Sequence, residues 1–227
     1  NVDMQRIFDI LFSGIALILL SPLLLPLMFI LRVTGEGEIF FPQKRVGRGG
    51  KDFKLYKFAT MLKDSPNMGT GTVTVKNDPR ILPIGGFLRK TKINELPQLI
   101  NIFNGDMSVI GPRPQTQRCF NAFPQSSQNE IIKVRPGLSG IGSIIFRNEE
   151  DMMHANNDPD KFYDEIVMPY KGLLEEWYVS HHSLFTYFIL IGLTAWVVLR
   201  PNSDLTWKIF NDLPKPPIAL NRELHAT

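Results

Sequence analysis

The sequence predicts an α/β domain held to a membrane by a kinked N-terminal helix. Three features predict it. Ile10 to Leu31 contains no charged residue, and at about 1.5 Å per residue it makes a helix of roughly 33 Å, enough to cross a hydrocarbon core. Pro22 and Pro26 fall inside that run, where each removes an intrahelical hydrogen bond and crowds the preceding turn, so the helix bends and can return to the side it came from. Beyond it, short segments rich in aromatic and β-branched residues alternate with segments of helical apolar spacing, the pattern of a mixed domain. Residues 1–34 are therefore read as the re-entrant membrane helix, 35–200 as the compact domain and 201–227 as a Pro-containing tail.

Charge orients the first element. Arg6 is flanked by Asp3 and Asp9, whereas Arg32, Lys44, Arg45, Arg48, Lys51, Lys54 and Lys57 follow the apolar run. Lys and Arg collect on the cytoplasmic side, which places the domain in the cytoplasm. A secretory signal is the competing reading, but the run is longer than an ordinary signal core and Arg32-Val-Thr-Gly offers no small-residue cleavage site.

Glu38–Phe41 and Phe53–Phe58 read as strands of a small hairpin around Gly47-Arg-Gly-Gly50. Met68–Val75 reads as loop or extended chain, and helix resumes near Ile84. Leu96, Leu99, Ile100 and Phe103 have helical spacing, with Pro97 suited to a first turn. Gly111-Pro-Arg-Pro114 and Arg135-Pro-Gly137 break regular structure, so Arg113 and Arg135 sit in stiff loops. Asp160–Val179 reads as one charged helix or two parted at Pro169. Leu184–Leu199 is a second apolar run, short for a span, with Tyr187, Trp196, Trp177, Tyr178 and Trp207 in or beside it. Such aromatics favour a membrane boundary, so it is read as an amphipathic interfacial helix, with a buried core helix as the alternative. From Leu213, three prolines predict an extended or disordered end.

Cys119 is the one cysteine among the 227 residues, which excludes an internal disulfide and, with no His/Cys ligand spacing, a structural zinc site. Its simplest role is a small buried apolar residue. The net charge of +3 suits an anionic membrane face or a phosphate substrate at least as well as nucleic acid, and no nucleic-acid module pattern accompanies it. His154, His181 and His182 fit no motif and are read as surface residues.

Between Arg80 and Arg147 cations are interleaved with Glu95 and Asp106. Guanidinium groups clamp phosphate oxygens in two-point contacts, and a carboxylate can attack phosphorus or hold magnesium against it. By residue type alone, a solvated basic face explains the same cluster.

The order of residues distinguishes the two readings. Lys90-Thr-Lys-Ile-Asn-Glu-Leu-Pro-Gln-Leu-Ile-Asn-Ile-Phe-Asn-Gly-Asp-Met-Ser-Val-Ile-Gly-Pro-Arg-Pro114 resembles the signature of the bacterial sugar transferase family, the monotopic polyprenyl-phosphate phosphoglycosyltransferases. So do Ile39-Phe-Phe-Pro-Gln-Lys-Arg-Val-Gly47, Phe53-Lys-Leu-Tyr-Lys-Phe-Ala-Thr-Met61, Asp78-Pro-Arg80 and Val134-Arg-Pro-Gly-Leu-Ser-Gly140, while Ser21-Pro22 looks like that family's helix-breaking pair. The resemblance runs to about Leu199. It implies transfer of a sugar-1-phosphate from a nucleotide sugar, a UDP-sugar in the first instance, to polyprenyl (undecaprenyl) phosphate, with release of nucleoside monophosphate. It also implies magnesium dependence and a place at the bacterial inner membrane, with the nucleotide sugar, the polyprenyl phosphate and the lipid bilayer as partners. A homodimer is compatible with this, though no heptad supports one.

Members of that family use an adjacent Asp-Glu pair in which the Asp attacks the sugar-bearing phosphate. Here the first position is Asn94 and only Glu95 is ionisable. Three explanations stand: Glu95 is the nucleophile or general base, an Asp-to-Asn change has silenced the site, or transfer is direct with Asn94 positioning substrate. A silent membrane protein that binds nucleotide sugar or recruits other enzymes is the rival function. The candidate substrate-binding residues are Arg113, Arg135, Arg89, Lys57 and Arg80, and the candidate metal ligands are Glu95 and Asp106, the latter equally able to cap a helix. Ala59 stands where many members carry an arginine, which shifts phosphate charge onto Lys57.

Overall fold

The computed structural model describes all residues except 1, 69–77, 150, 151, 153–157, 202, 226 and 227. The expected loop after Met68 and His154 therefore fall largely or wholly outside the described residues. The chain forms two compact units, one of residues 10–44 and 54–104, the other of residues 1–9, 45–53 and 105–227.

The helix α1 spans Val2–Val33 and stays helical through both prolines. Pro22 lacks the N–H that would reach the Ile18 carbonyl, and the Ser21 hydroxyl donates to that carbonyl instead at 2.7 Å, which explains why serine precedes the proline. Residues Met4–Val33 are long and apolar enough to cross a membrane. Ile18, Leu19, Leu25 and Phe29 are all more than 60% exposed, a surface that water does not favour and lipid does.

In the first unit, Leu24, Leu27 and Leu31 of α1 pack with Phe58 and Leu88. Strands β1 (Phe40–Val46) and β2 (Asp52–Phe58) pair, so β1 runs several residues beyond the expected Glu38–Phe41. Helix α2 covers Gly85–Lys90, a 3-10 turn covers Ile93–Glu95 and helix α3 covers Gln98–Asn104.

The second unit contains a two-stranded parallel sheet, β3 (Ser108–Ile110) with β4 (Gly137–Ser139), registered Ser108 to Gly137 and Ile110 to Ser139. Backbone meets backbone where its two loops cross. A Cβ at Gly111 would lie 2.4 Å from the Arg135 carbonyl oxygen, and one at Gly137 would lie 2.1 Å from the Gly111 nitrogen. Neither position tolerates a side chain. Around this sheet stand α4 (Gln117–Asn121), α5 (Gln125–Ile131) and α6 (Ile141–Ile145). Helical turns Pro159–Phe162 and Tyr163–Val167 lead into α7 (Met168–Ser180), which has Pro169 in its first turn, next to where the sequence offered a break.

One face of helix α8 (Leu184–Leu199) belongs to the core, as the alternative reading of this run expected. Tyr187, Leu190, Leu193 and Val197 are buried along one face, while Phe185, Val198 and Leu199 are exposed. It is apolar all round and only half covered. The expectation of an extended or disordered end needs correction. Pro214–Pro217 is extended, but α9 (Leu205–Ile209) precedes it and α10 (Ile218–His225) follows. Leu213 and Leu220 join the core, and Tyr170 donates to the Pro214 carbonyl at 2.8 Å. Buried leucines on either side of the prolines hold the tail, a signal that the proline count obscured.

Candidate active site

In the unit of residues 10–44 and 54–104, the turn bearing Asn94 and Glu95 is fixed from both ends. Lys92 before it takes a left-handed conformation, φ 60°, uncommon for a residue with a Cβ. Ile93 and Leu96 on either side pack against the Leu24–Phe58–Leu88 core. Asn101, fully buried, then ties α3 to β2: its side-chain oxygen accepts the Tyr56 N–H at 2.9 Å and its amide donates to the Lys54 carbonyl at 2.7 Å. This clasp places β2 so that Lys57 meets the turn.

The Lys57 ammonium lies 2.8 Å from a Glu95 carboxylate oxygen, with 19% and 25% of the two side chains exposed. The pair is sheltered yet reachable by a solute. Beside it Asn94 is 9% exposed, and its side-chain oxygen has no hydrogen-bond partner among the described residues. A buried amide oxygen left so is uncommon and costs about 1–3 kcal/mol. It is the kind of acceptor that a substrate hydroxyl, a water or a cation would satisfy. Ala59 is buried and presents no polar group where the resemblance has an arginine.

Arg89, at the end of α2, is half-buried and reaches the Met61 sulfur at 3.4 Å. Arg80 is placed differently from the expected phosphate ligand. It is 4% exposed and donates to both Asp78 carboxylate oxygens at 2.8 and 2.6 Å and to the carbonyls of Ser65 and Met68 at 2.7 and 2.8 Å. Those contacts commit its guanidinium to holding a loop.

The other unit carries the remaining candidates. Arg113 is exposed on the loop after β3 and lines a small cleft with Val46, Gln115, Phe120 and Val134. Arg135 donates through Nε to the Gly105 carbonyl at 2.9 Å, and Asp106, the next residue in the chain after Gly105, is exposed. Cys119 is half-buried, less sheltered than expected. His181 and His182 are placed by aromatic contacts, with Trp177 and Tyr178 respectively.

Two buried groupings in this unit escape a reading by residue type. At the start of α1, one Asp9 carboxylate oxygen accepts the Ser108 hydroxyl, the Val109 N–H and the Tyr187 hydroxyl, each at 2.9 Å, and Gln5 donates to the Ser108 oxygen at 2.8 Å. Deeper in α7, Lys171 and Glu175 are each 2% exposed. Lys171 pairs with Glu149 at 2.7 and 2.8 Å, and burial pushes the Glu175 carboxyl up to about 7 against the opposing pull of Lys171 and the Arg113 N–H. Alternation of polar and apolar residues along α7 was the available signal, and it does not distinguish a buried acid from a solvated one.

Among the described residues no three His, Cys, Asp or Glu side chains form a metal-binding group. Oxygen donors for a hard cation are present on one turn, the orphaned Asn94 oxygen and the Glu95 carboxylate. That set fits magnesium, which takes one or two carboxylates and draws its other ligands from water and substrate phosphate.

Comparison with known proteins bears on this geometry. Residues 1–201 match the family described as bacterial sugar transferase. The exopolysaccharide production protein ExoY of Rhizobium meliloti is 36% identical over 159 residues, covering 64% of this chain and 70% of that protein. The undecaprenyl-phosphate galactose phosphotransferase of Salmonella typhimurium is 33% identical over 212 residues, covering 87% of this chain and 40% of its own. The UDP-glucose:undecaprenyl-phosphate glucose-1-phosphate transferase of Escherichia coli is 35% identical over 170 residues, covering 74% of this chain and 36% of its own. The chain thus spans well under half the length of these last two relatives.

Proposed function

This chain belongs to the bacterial sugar transferase family, and we propose that it transfers a sugar-1-phosphate from a nucleotide diphosphate sugar, in the first instance a UDP-sugar, to undecaprenyl phosphate. The observation that carries this reading is the Lys57–Glu95 pair at 2.8 Å beside the orphaned Asn94 oxygen, at the position of the family's reactive pair. Relatives named for undecaprenyl-phosphate sugar transfer supply the substrate class.

Glu95 acts as the nucleophile. Its carboxylate forms a bond to the sugar-bearing phosphorus, the bond from that phosphorus to the bridging oxygen breaks, and nucleoside monophosphate leaves with the electron pair. An oxygen of undecaprenyl phosphate then attacks the same phosphorus and frees the carboxylate. The acceptor is already an anion near neutral pH, so this second step needs no general base. Lys57 turns from Glu95 to the donor phosphate as it arrives, and Asn94 supplies a neutral acceptor to the sugar or the cation. Magnesium, held by Glu95 and Asn94 with the donor diphosphate, would neutralise charge on the phosphate oxygens. Arg113, Arg135 and Arg89 are the proposed phosphate contacts.

The acceptor is a lipid, which accounts for the apolar α1. In this reading α1 is re-entrant, bent at Ser21-Pro22 and Pro26, and leaves the folded domain on the cytoplasmic face of the inner membrane, as the basic residues after Leu31 favour. The product would begin a surface polysaccharide or glycoconjugate. Asn94 favours one rival, a silent nucleotide-sugar binder. Detergent-extracted protein incubated with several UDP-sugars, magnesium and undecaprenyl phosphate is expected to release UMP; tight UDP-sugar binding without UMP would favour the rival.

A further inference from the structure

We infer that a cleft in the second unit, rimmed by Arg48, Lys133 and His182, binds the phosphodiester headgroup of an anionic phospholipid. The inference goes beyond the reaction proposed above and stands without it.

Separate segments bring cations to this cleft. Arg48 comes from the turn between β1 and β2 and Lys133 from the chain just after α5. Arg135, a proposed phosphate contact of the reaction, lines the cleft as well, whereas Arg48 and Lys133 have no part in that reaction. Backbone bonds set their places. The Gly49 N–H donates to the Ile132 carbonyl at 2.7 Å, which fastens the turn carrying Arg48 to the segment carrying Lys133. Gly49 takes φ 71° to do so, a conformation that suits glycine. Arg48 and Lys133 are both exposed. Lys133 touches Glu130, but that pair lies in the open, where a second anion can exchange with it. Like charges gathered on one rim repel, and a bound anion relieves the repulsion.

The floor of the cleft is polar and already bonded. Gln5 donates to the Ser108 oxygen, Ser108 to Asp9, and the Tyr178 hydroxyl to the Ile110 carbonyl at 3.1 Å. Asp9 is the carboxylate among the lining residues, and three donors converge on one of its oxygens, which offsets its charge. An entering ligand therefore meets the cations of the rim and has to supply acceptors, as phosphate oxygens do.

The surroundings select a lipid over a soluble phosphate. The first turns of α1, which give Gln5 and Asp9 to the floor, also expose Met4 and Ile7, at 48% and 58%. His182 leads into α8, where Phe185 and Phe188 are 71% and 41% exposed, and Phe8 of α1 meets Phe188 edge-on with ring centres 4.9 Å apart. The uncharged run of α1 starts at Ile10, next to the floor residue Asp9. In a helix that continues into hydrocarbon, that is the level of the headgroups. A cationic cleft beside open apolar side chains matches a molecule with a phosphate at one end and acyl chains at the other. A soluble phosphate would meet only half of this surface.

Native mass spectrometry of the detergent-extracted full chain can count bound dioleoyl phosphatidylglycerol, with dioleoyl phosphatidylcholine, undecaprenyl phosphate and inorganic phosphate as separate arms. The wild type is expected to hold phosphatidylglycerol about tenfold or more tightly than phosphatidylcholine, and Arg48→Ala/Lys133→Ala to weaken it by about twentyfold, from roughly fivefold for each charge. Lys161→Ala/Lys208→Ala, which removes two exposed cations outside the cleft, should weaken it by about twofold at most. Arg135 stays intact throughout. Equal weakening by the two double variants, or no preference over phosphatidylcholine, would overturn the inference. So would displacement of phosphatidylglycerol by an equal concentration of inorganic phosphate, which makes this a soluble-phosphate site, or of undecaprenyl phosphate, which gives the cleft to the acceptor. A wild type that binds phosphatidylglycerol as expected yet releases no UMP removes the proposed reaction and leaves the lipid site in place.

Discussion

Lys57 and Glu95 meet at 2.8 Å with 19% and 25% of their side chains exposed, whereas Lys171 and Glu175, one helical turn apart, are each 2% exposed. The residue types are the same. The first pair sits on a strand and a 3-10 turn where a solute can reach both partners. The second is enclosed among α6, α7 and the proline loop, where a solute has no path and each charge must be met by the protein. Arg80 and Arg113 repeat the contrast: both lie beside prolines, yet one is consumed by Asp78 and two carbonyls and the other is exposed. Chemistry belongs to the group whose partners can be exchanged, and architecture to the group whose partners cannot.

The contrast can be broken in several places. The largest expected effect is on the enclosed side, where Arg80→Ala strands Asp78 and should lower the melting temperature by about 10 °C. Glu175 should give stability a particular pH dependence. Its carboxyl is raised from 4.5 to about 7 in the folded chain, so the folded state holds a proton that the unfolded state has lost. Stability from this group is full below about pH 4.5 and is lost as pH rises through about 7, a change on the order of 3 kcal/mol. Urea titrations across that window should show the slope in the wild type and lose it in Glu175→Gln. On the exposed side, Arg113→Lys keeps the charge and discards the two-point fork, which should raise KM for the UDP-sugar about tenfold and leave the melting temperature unmoved. The smallest effect belongs to Lys63, paired with Glu38 at 2.8 Å in the open; Lys63→Ala should shift the melting temperature by about 1 °C or less.

Much of this was legible in the residues. The apolar run with its prolines, the hairpin around Gly47–Gly50, the helix after Pro97 and the stiff loops holding Arg113 and Arg135 all follow from local preference, which acts over a few neighbours. The ordered motifs led to Glu95, Asn94 and Lys57. What residue type alone could not decide was burial. Nothing adjacent to Arg80 announces that four acceptors from Asp78, Ser65 and Met68 surround it, and Asn101 looks like any polar residue on a helix until β2 lies beside it. Glu175 needed the most distant information, because the room for its carboxyl is left by Gly142, far away along the chain. The tail was misread because three prolines weigh against helix locally while Leu213 and Leu220 act through the core.

The central claim is that Glu95 takes the phosphosugar from the nucleotide. It is tested most directly by UMP release from purified wild type and Glu95→Gln, given UDP-sugar and magnesium, with and without undecaprenyl phosphate. The account predicts release by the wild type and a loss on the order of a thousandfold in the variant. Equal release by Glu95→Gln would contradict it.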